Sequence, residues 1–174
     1  MNRIRTAALA LLCSVCLIPL AQALPTDRDQ PIHIDADTAD LDQKAGILTY
    51  IGNVVIDQGS IHIEAAKAVI YSKNSEVYRV VATGGPAHFQ QQPELNKPLV
   101  KAQGNSLVYD VSSEKLTITE HARVEQNGSV ITGDVINYDI HLATVEAGRR
   151  TENSERVKVI LQPQNKKPVE QDAE

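Results

Sequence analysis

Residues 30–71 read QPIHIDADTADLDQKAGILTYIGNVVIDQGSIHIEAAKAVIY, and their pattern decides the fold class. Apolar residues alternate with polar ones in short runs: Ile32, Ile34 and Ala36; Ala39 and Leu41; Leu48 and Tyr50; Val54 and Ile56; Ile61 and Ile63. Side chains on a strand point to opposite faces in turn, so a period of two gives each strand one apolar and one wet face. Asp, Asn, Gln and Gly separate the runs, and these residues tolerate tight turns. The spacing of an amphipathic helix is not sustained anywhere in the stretch. The pattern predicts short antiparallel strands.

Outward from this stretch the pattern continues. A turn over 72–76 precedes a strand at 77–83 (VYRVVAT), closed by Gly84-Gly85-Pro86. After Ala87-His88-Phe89 comes a polar loop, 90–97, and then strands at 100–103 and 106–111 around Gly104-Asn105. The segment 109–138 loosely repeats 41–71, with Gly-Ser at 59–60 and again at 128–129. Asn127-Gly128 is a hairpin signal, because a type I′ turn needs positive φ at both central residues. Runs at 142–147 and 156–161 read as the last strands. The total of about sixteen short strands suggests a sandwich, jelly roll or β-solenoid.

The ends of the chain differ from this body. Arg3 and Arg5 precede a mostly apolar run, and Ala21-Gln22-Ala23 follows it, so residues 1–23 are expected to be a cleaved signal peptide and the mature chain to begin at Leu24. A single β domain is expected over 24–161 and a disordered polar tail over 162–174. Cys13 and Cys16, the only cysteines, fall in the leader, which excludes disulfides and thiol chemistry from the mature protein. Without Arg3 and Arg5 the 17 basic residues become 15 against 22 acidic ones, a formal charge of −7. Such a balance argues against nucleic-acid binding, which relies on neutralising phosphates. With no Trp and one Phe there is no stacking platform either.

Nothing in the chain spells an active site. Asp35, Asp37, Asp40 and Asp42 alternate with apolar residues and so belong to the wet faces of strands. The five histidines form no metal-ligand pair of the H-x-x-x-H kind. His62 and Glu64 share one side of a strand, which a polar face explains. No nucleophile elbow or phosphate-cradling loop occurs. No enzyme, cofactor or metal site is expected.

The QPIHIDAD opening, the TYIGNVVIDQGSIHIEAAKAVIY block and the GGPAHF segment resemble the LptA/OstA-like family over about residues 27–161. The resemblance implies a slightly twisted, open-edged antiparallel β-jelly roll. It also implies a periplasmic, non-enzymatic carrier that bridges inner-membrane and outer-membrane machinery for lipopolysaccharide export. The implied partners are the lipid A moiety, further copies joined end to end, and related domains on both neighbours.

The physics of such a carrier is coherent. At about 0.8 kcal/mol per methylene, a twelve-carbon chain left in water costs on the order of 10 kcal/mol. A folded sheet offers an apolar trough. Alternation assigns Ile32, Ile34, Leu41, Leu48, Tyr50, Val54, Ile56, Ile61, Ile63, Phe89, Leu107, Tyr109, Leu116, Ile118, Val124 and Val135 to its inside. Ile32, Ile34, Phe89, Leu107 and Tyr109 are the candidate lipid contacts. Terminal strands leave backbone groups unpaired. Those at 32–37 and 156–161 are therefore candidates for joining, with Ile32, His33, Ile34 and Asp35 on one and Val157, Lys158, Val159 and Ile160 on the other. Arg149, Arg150, Arg156 and Lys158 make a basic patch, read as a solubilising face that could also meet lipid phosphates. Two rival functions stay open on the sequence: a polysaccharide-binding or polysaccharide-cleaving β-solenoid, and a periplasmic scaffold without ligand.

Overall fold

The computed structural model describes residues 27–94, 97–152 and 154–163. The expected leader, the start at Leu24 and residues 164–174 of the expected tail lie outside the described residues.

A 3-10 turn at Asp27–Asp29 leads into ten strands. They are β1 (His33–Asp35), β2 (Thr38–Asp42), β3 (Ile47–Gln58), β4 (Ile61–Lys73), β5 (Glu76–Gln91), β6 (Val100–Asp110), β7 (Lys115–Gln126), β8 (Ser129–Asp139), β9 (Thr144–Gly148) and β10 (Lys158–Ile160). All pair antiparallel in one sheet, in the order β1-β3-β4-β5-β6-β7-β8-β10, with β2 also beside β3 and β9 also beside β8. Tight hairpins explain much of this neighbour order. At Asn127-Gly128 both residues carry positive φ, 49° and 77°, which glycine adopts without steric cost.

Register breaks at the same level in every long strand. The shifts fall between Ile51 and Val54, Glu64 and Lys67, Thr83 and Ala87, Gln103 and Ser106, and Thr119 and Ala122. Extra residues at a bulge bend the strand and increase its twist. Here Asn53, Glu120 and His121 adopt positive φ at the break. The aligned breaks form a seam that folds the sheet into two facing walls. The first wall holds β1, the arms at 54–58, 61–65, 87–91, 100–104, 122–126 and 129–133, and β10. The second holds β2, the complementary arms and β9. Phe89 of the first wall meets Tyr109 of the second with ring centroids 6.3 Å apart.

This seam corrects the expected strand count. Ten strands occur among the described residues rather than about sixteen, because alternation lapses at each break and makes one bent strand read as two. Gly84-Gly85-Pro86 does not close a strand but lies within β5, and 100–103 and 106–111 merge into β6. The last two strands are shorter than expected, β9 at Thr144–Gly148 and β10 at Lys158–Ile160.

One apolar cluster fills the space between the walls. Beside the seam the first wall carries small residues, Ala65, Ala87, Gly104, Ala122 and Gly133, so the walls approach closely there. At Gly104 a Cβ would sit 2.6 Å from Ile118 Cγ2, closer than packed atoms allow. Two of the expected inward residues differ. Leu41 lies on the inner row opposite Leu48 but is 55% exposed, because β2 is an edge strand that pairs only with β3 among the described residues. Val135 pairs with Thr119 on the outer face, and Ile136 takes the buried place, because β8 changes phase as it crosses the seam at Asp134.

Candidate functional site

The inner faces are built from rows of side chains that cross the whole sheet. On the first wall Ile34, Ile56, Ile63, Phe89, Ala102, Val124, Ile131 and Val159 stand opposite one another in turn, strand by strand. On the second wall Leu41, Leu48, Ile70, Val80, Tyr109, Leu116, Tyr138 and Val145 do the same. The candidate lipid contacts are therefore spread along a trough rather than gathered in one pocket. Phe89, Leu107 and Tyr109 lie at its centre, 1%, 1% and 3% exposed. Ile32 and Ile34 are half-buried near one end, Ile34 in the same row as Phe89 but separated from it by Ile56 and Ile63. The centre is closed by wall-to-wall packing. Burial pushes the Tyr109 phenol up to about 12, helped by the charges of Glu114 and Asp27.

Space opens at the mouth, away from the seam. A cavity of about 780 Å³ lies between Ile32 and Gln58 on the first wall and Val77, Tyr78 and Val111 on the second. The 3-10 turn borders it and is tied to the first wall. Asp27 accepts from the Ser60 amide and hydroxyl, both at 2.7 Å, and from Gln91 Nε2 at 3.0 Å. Gln58 Nε2 donates to the carbonyls of Arg28 and Gln30, each at 3.2 Å. Gln58 and Gln91 are the buried polar residues of the interior among the described residues, and sequence reasoning missed both. Their signal was present, since each occupies an inward phase of its strand.

The outer face of the first wall carries a polar groove of about 590 Å³ around His62, His88, Lys101 and Arg123. His62 Nδ1 lies 2.6 Å from Asp57 Oδ1, and Nε2 lies 3.3 Å from Glu64 Oε1. No cluster of three or more possible metal ligands occurs among the described residues. The hydrogen bond to Asp57 raises the His62 pKa above its ordinary 6.5, against a smaller opposing effect of burial. A raised folded value means the pair contributes stability below pH 6.5 that is lost as pH rises through the folded value. An NMR titration should place the His62 midpoint above 6.5 and return it toward 6.5 in Asp57→Asn; a wild-type midpoint at or below 6.5 would refute the pairing.

Asp35, Asp37, Asp40 and Asp42 are exposed, and two of them serve local structure. Asp37 accepts from Asn53 at the seam, and Asp42 accepts from the amides of Lys44 and Ala45 in the turn before β3. Within the basic patch Arg150 is committed to Asp134, donating from its Nε at 3.0 Å, Nη2 at 3.1 Å and backbone amide at 3.0 Å. This holds the Asp134 carboxyl well below the usual carboxylate range. Among the described residues the terminal strands are open: β1 pairs only with β3, β10 only with β8, and Val159 and Ile160 are 52% and 60% exposed.

Comparison with known proteins fits this architecture. Residues 33–144 match the family described as LptA/(LptD N-terminal domain) LPS transport protein. The lipopolysaccharide export system protein LptH of Pseudomonas aeruginosa is 35% identical over 153 residues, covering 84% of this chain and 87% of that one. LptA of Haemophilus influenzae is 39% identical over 146 residues, covering 82% and 83%. The crystal structure of P. aeruginosa LptH superposes with a TM-score of 0.76 at 33% identity, over 80% of this chain and 100% of that one. That LptH is described as the LptA-homologous periplasmic component of the conserved lipopolysaccharide transport device. Family match, identity and fold agree over the same strands, and the chain belongs to the LptA/LptD N-terminal domain family of lipopolysaccharide transport proteins.

Proposed function

We infer that this protein is a non-enzymatic periplasmic component of lipopolysaccharide export, made after removal of residues 1–23, and that it shields acyl chains between its two walls. The observation that carries the reading is the unbroken pair of apolar rows between polar outer faces, in a chain of this family. The walls pack on each other when empty, so an acyl chain enters at the mouth beside Ile32 and parts them. Ile34, Phe89, Leu107 and Tyr109 then exchange contacts with neighbouring side chains for contacts with lipid. Such an exchange keeps apolar area out of water in both states, which limits its cost. The copies join end to end, and related domains of the inner-membrane and outer-membrane machinery join the same strands, through Ile32, His33, Ile34 and Asp35 at one end and Val157, Lys158, Val159 and Ile160 at the other. Unpaired strands at both ends of one sheet make a head-to-tail contact that does not close on itself. Detergent-free native mass spectrometry of protein purified from its own periplasm should reveal a bound population heavier by the mass of a lipopolysaccharide. A preparation that is lipid-free and takes up no added lipopolysaccharide would favour the ligand-free scaffold.

A further inference from the structure

We propose that the Tyr138 hydroxyl selects the guest: inside the trough it hydrogen-bonds a hydroxyl carried near the head of an acyl chain, so the protein prefers hydroxyacyl chains to plain ones. This rests on the shielding of acyl chains inferred above and adds which chains are preferred and the residue that reads them. The observation behind it is a polar atom without a partner. Tyr138 is 3% exposed, and its hydroxyl is buried with no hydrogen-bond partner among the described residues. A buried donor left unpaired costs more than a typical hydrogen bond gains, which makes such atoms rare in folded proteins.

The side chains beside it cannot supply the partner. On β8 Tyr138 follows Ile136 along the inner face, and in its row it stands between Leu116 of β7 and Val145 of β9. Leu116 and Ile136 are 0% exposed, and none of these three side chains carries a donor or an acceptor. The polar groups of the same strands are engaged on the outer face. Thr117 Oγ1 donates to Asn137 Oδ1 at 3.0 Å, while Asp139 accepts from the Leu142 amide at 2.9 Å and lies 3.6 Å from Lys115 Nζ. Gln91 Oε1 is likewise buried and unpartnered, but that side chain is held by Asp27 through its Nε2. In Tyr138 the one polar atom of the side chain is idle.

Chemistry and depth narrow the guest. Burial raises the phenol above its ordinary value, with the Asp139 charge adding to the effect, so the group stays a neutral hydroxyl. A phenol both donates and accepts, and a guest hydroxyl pairs with it in either direction; a carbonyl pairs only when the phenol donates, and a methylene not at all. Tyr138 is one residue from the end of β8, and the row of Ile136 lies between it and the seam. A chain lying with its head at the rim and its tail toward the seam therefore passes Tyr138 with its first few carbons. The closed, empty trough leaves the hydroxyl unpaired and a hydroxylated guest pairs it, so the preference comes from a difference between the two states.

The test compares tetradecanoic acid with 3-hydroxytetradecanoic acid, each bound to the lipid-free protein and to Tyr138→Phe, by displacement of a fluorescent lipid. A trough without a partner for the hydroxyl would favour the plain chain, because a hydroxyl taken out of water unpaired is penalised. Tyr138→Phe should weaken the hydroxylated acid about fivefold relative to the plain one, the weight of one net hydrogen bond, and leave the plain acid unchanged. The urea midpoint of the empty variant should equal or exceed that of the unaltered protein, since only an unpaired group is removed. An unchanged ratio between the two acids would overturn the proposal while leaving acyl shielding in place. So would a lower midpoint, which would give the hydroxyl to the fold. Uptake of neither acid by the unaltered protein would remove acyl shielding itself.

Discussion

Ile34→Asp should lower lipopolysaccharide affinity by about tenfold or more, equivalent to some 1.4 kcal/mol, while leaving the unfolding transition in place. Ile34 stands near the end of the first-wall row, half-buried on a three-residue edge strand. A carboxylate there can still reach water at the end of the trough, so the empty fold tolerates it. An acyl chain laid along the row would expel that water, and an unpaired charge in apolar surroundings is costly. Displacement of a fluorescent lipid, at protein concentrations low enough to keep copies apart, measures the loss separately from assembly. Wild-type affinity in the variant would remove Ile34 from the lipid path, and loss of the unfolding transition would make it a structural residue.

Phe89→Ala should cost about 3–5 kcal/mol of stability, the range for emptying a large buried aromatic site. Phe89 heads the fully buried side chains by volume, sits between Ile63 and Ala102 in its row, and touches Tyr109 across the trough. Urea denaturation reads the change as a lower midpoint. A loss below about 1 kcal/mol would mean that the walls collapse to fill the gap, and that this contact does not hold them together. Lipid affinity should fall less than stability, because an acyl chain can occupy volume the ring vacates. Affinity lost in proportion to stability would instead mean that the acyl chain needs the ring itself and does not fill the vacated volume.

The fold class was legible because alternation is a local signal, and each arm of each strand kept it. Connectivity was less legible. The residues that bend a strand at the seam, such as Asn53, Gly104 and Glu120, also end runs of alternation, so a bend and a turn look alike in sequence. Val135 shows the same limit: phase counted from Ile131 is inverted by one residue, Asp134, whose place at the seam depends on pairing with β7. Leu41 shows another, since a face can be read from periodicity but an edge cannot. The five candidate lipid contacts could be assigned inward, yet the closing of the centre by Phe89 against Tyr109 depends on how near the walls come. That spacing is set by small residues at the seam, far apart in the chain. Asp57 and His62 are five residues apart across a hairpin and meet only once the turn at Gly59-Ser60 is formed.

The seam has one further consequence. On either side of it the hydrogen-bond ladders run from strand to strand without sharing a rung, so each half of the sheet is stitched independently. Like the spine of a book, such a crease would let the covers spread without tearing a page: a guest of greater girth between the walls would change an angle and leave the backbone bonding unaltered.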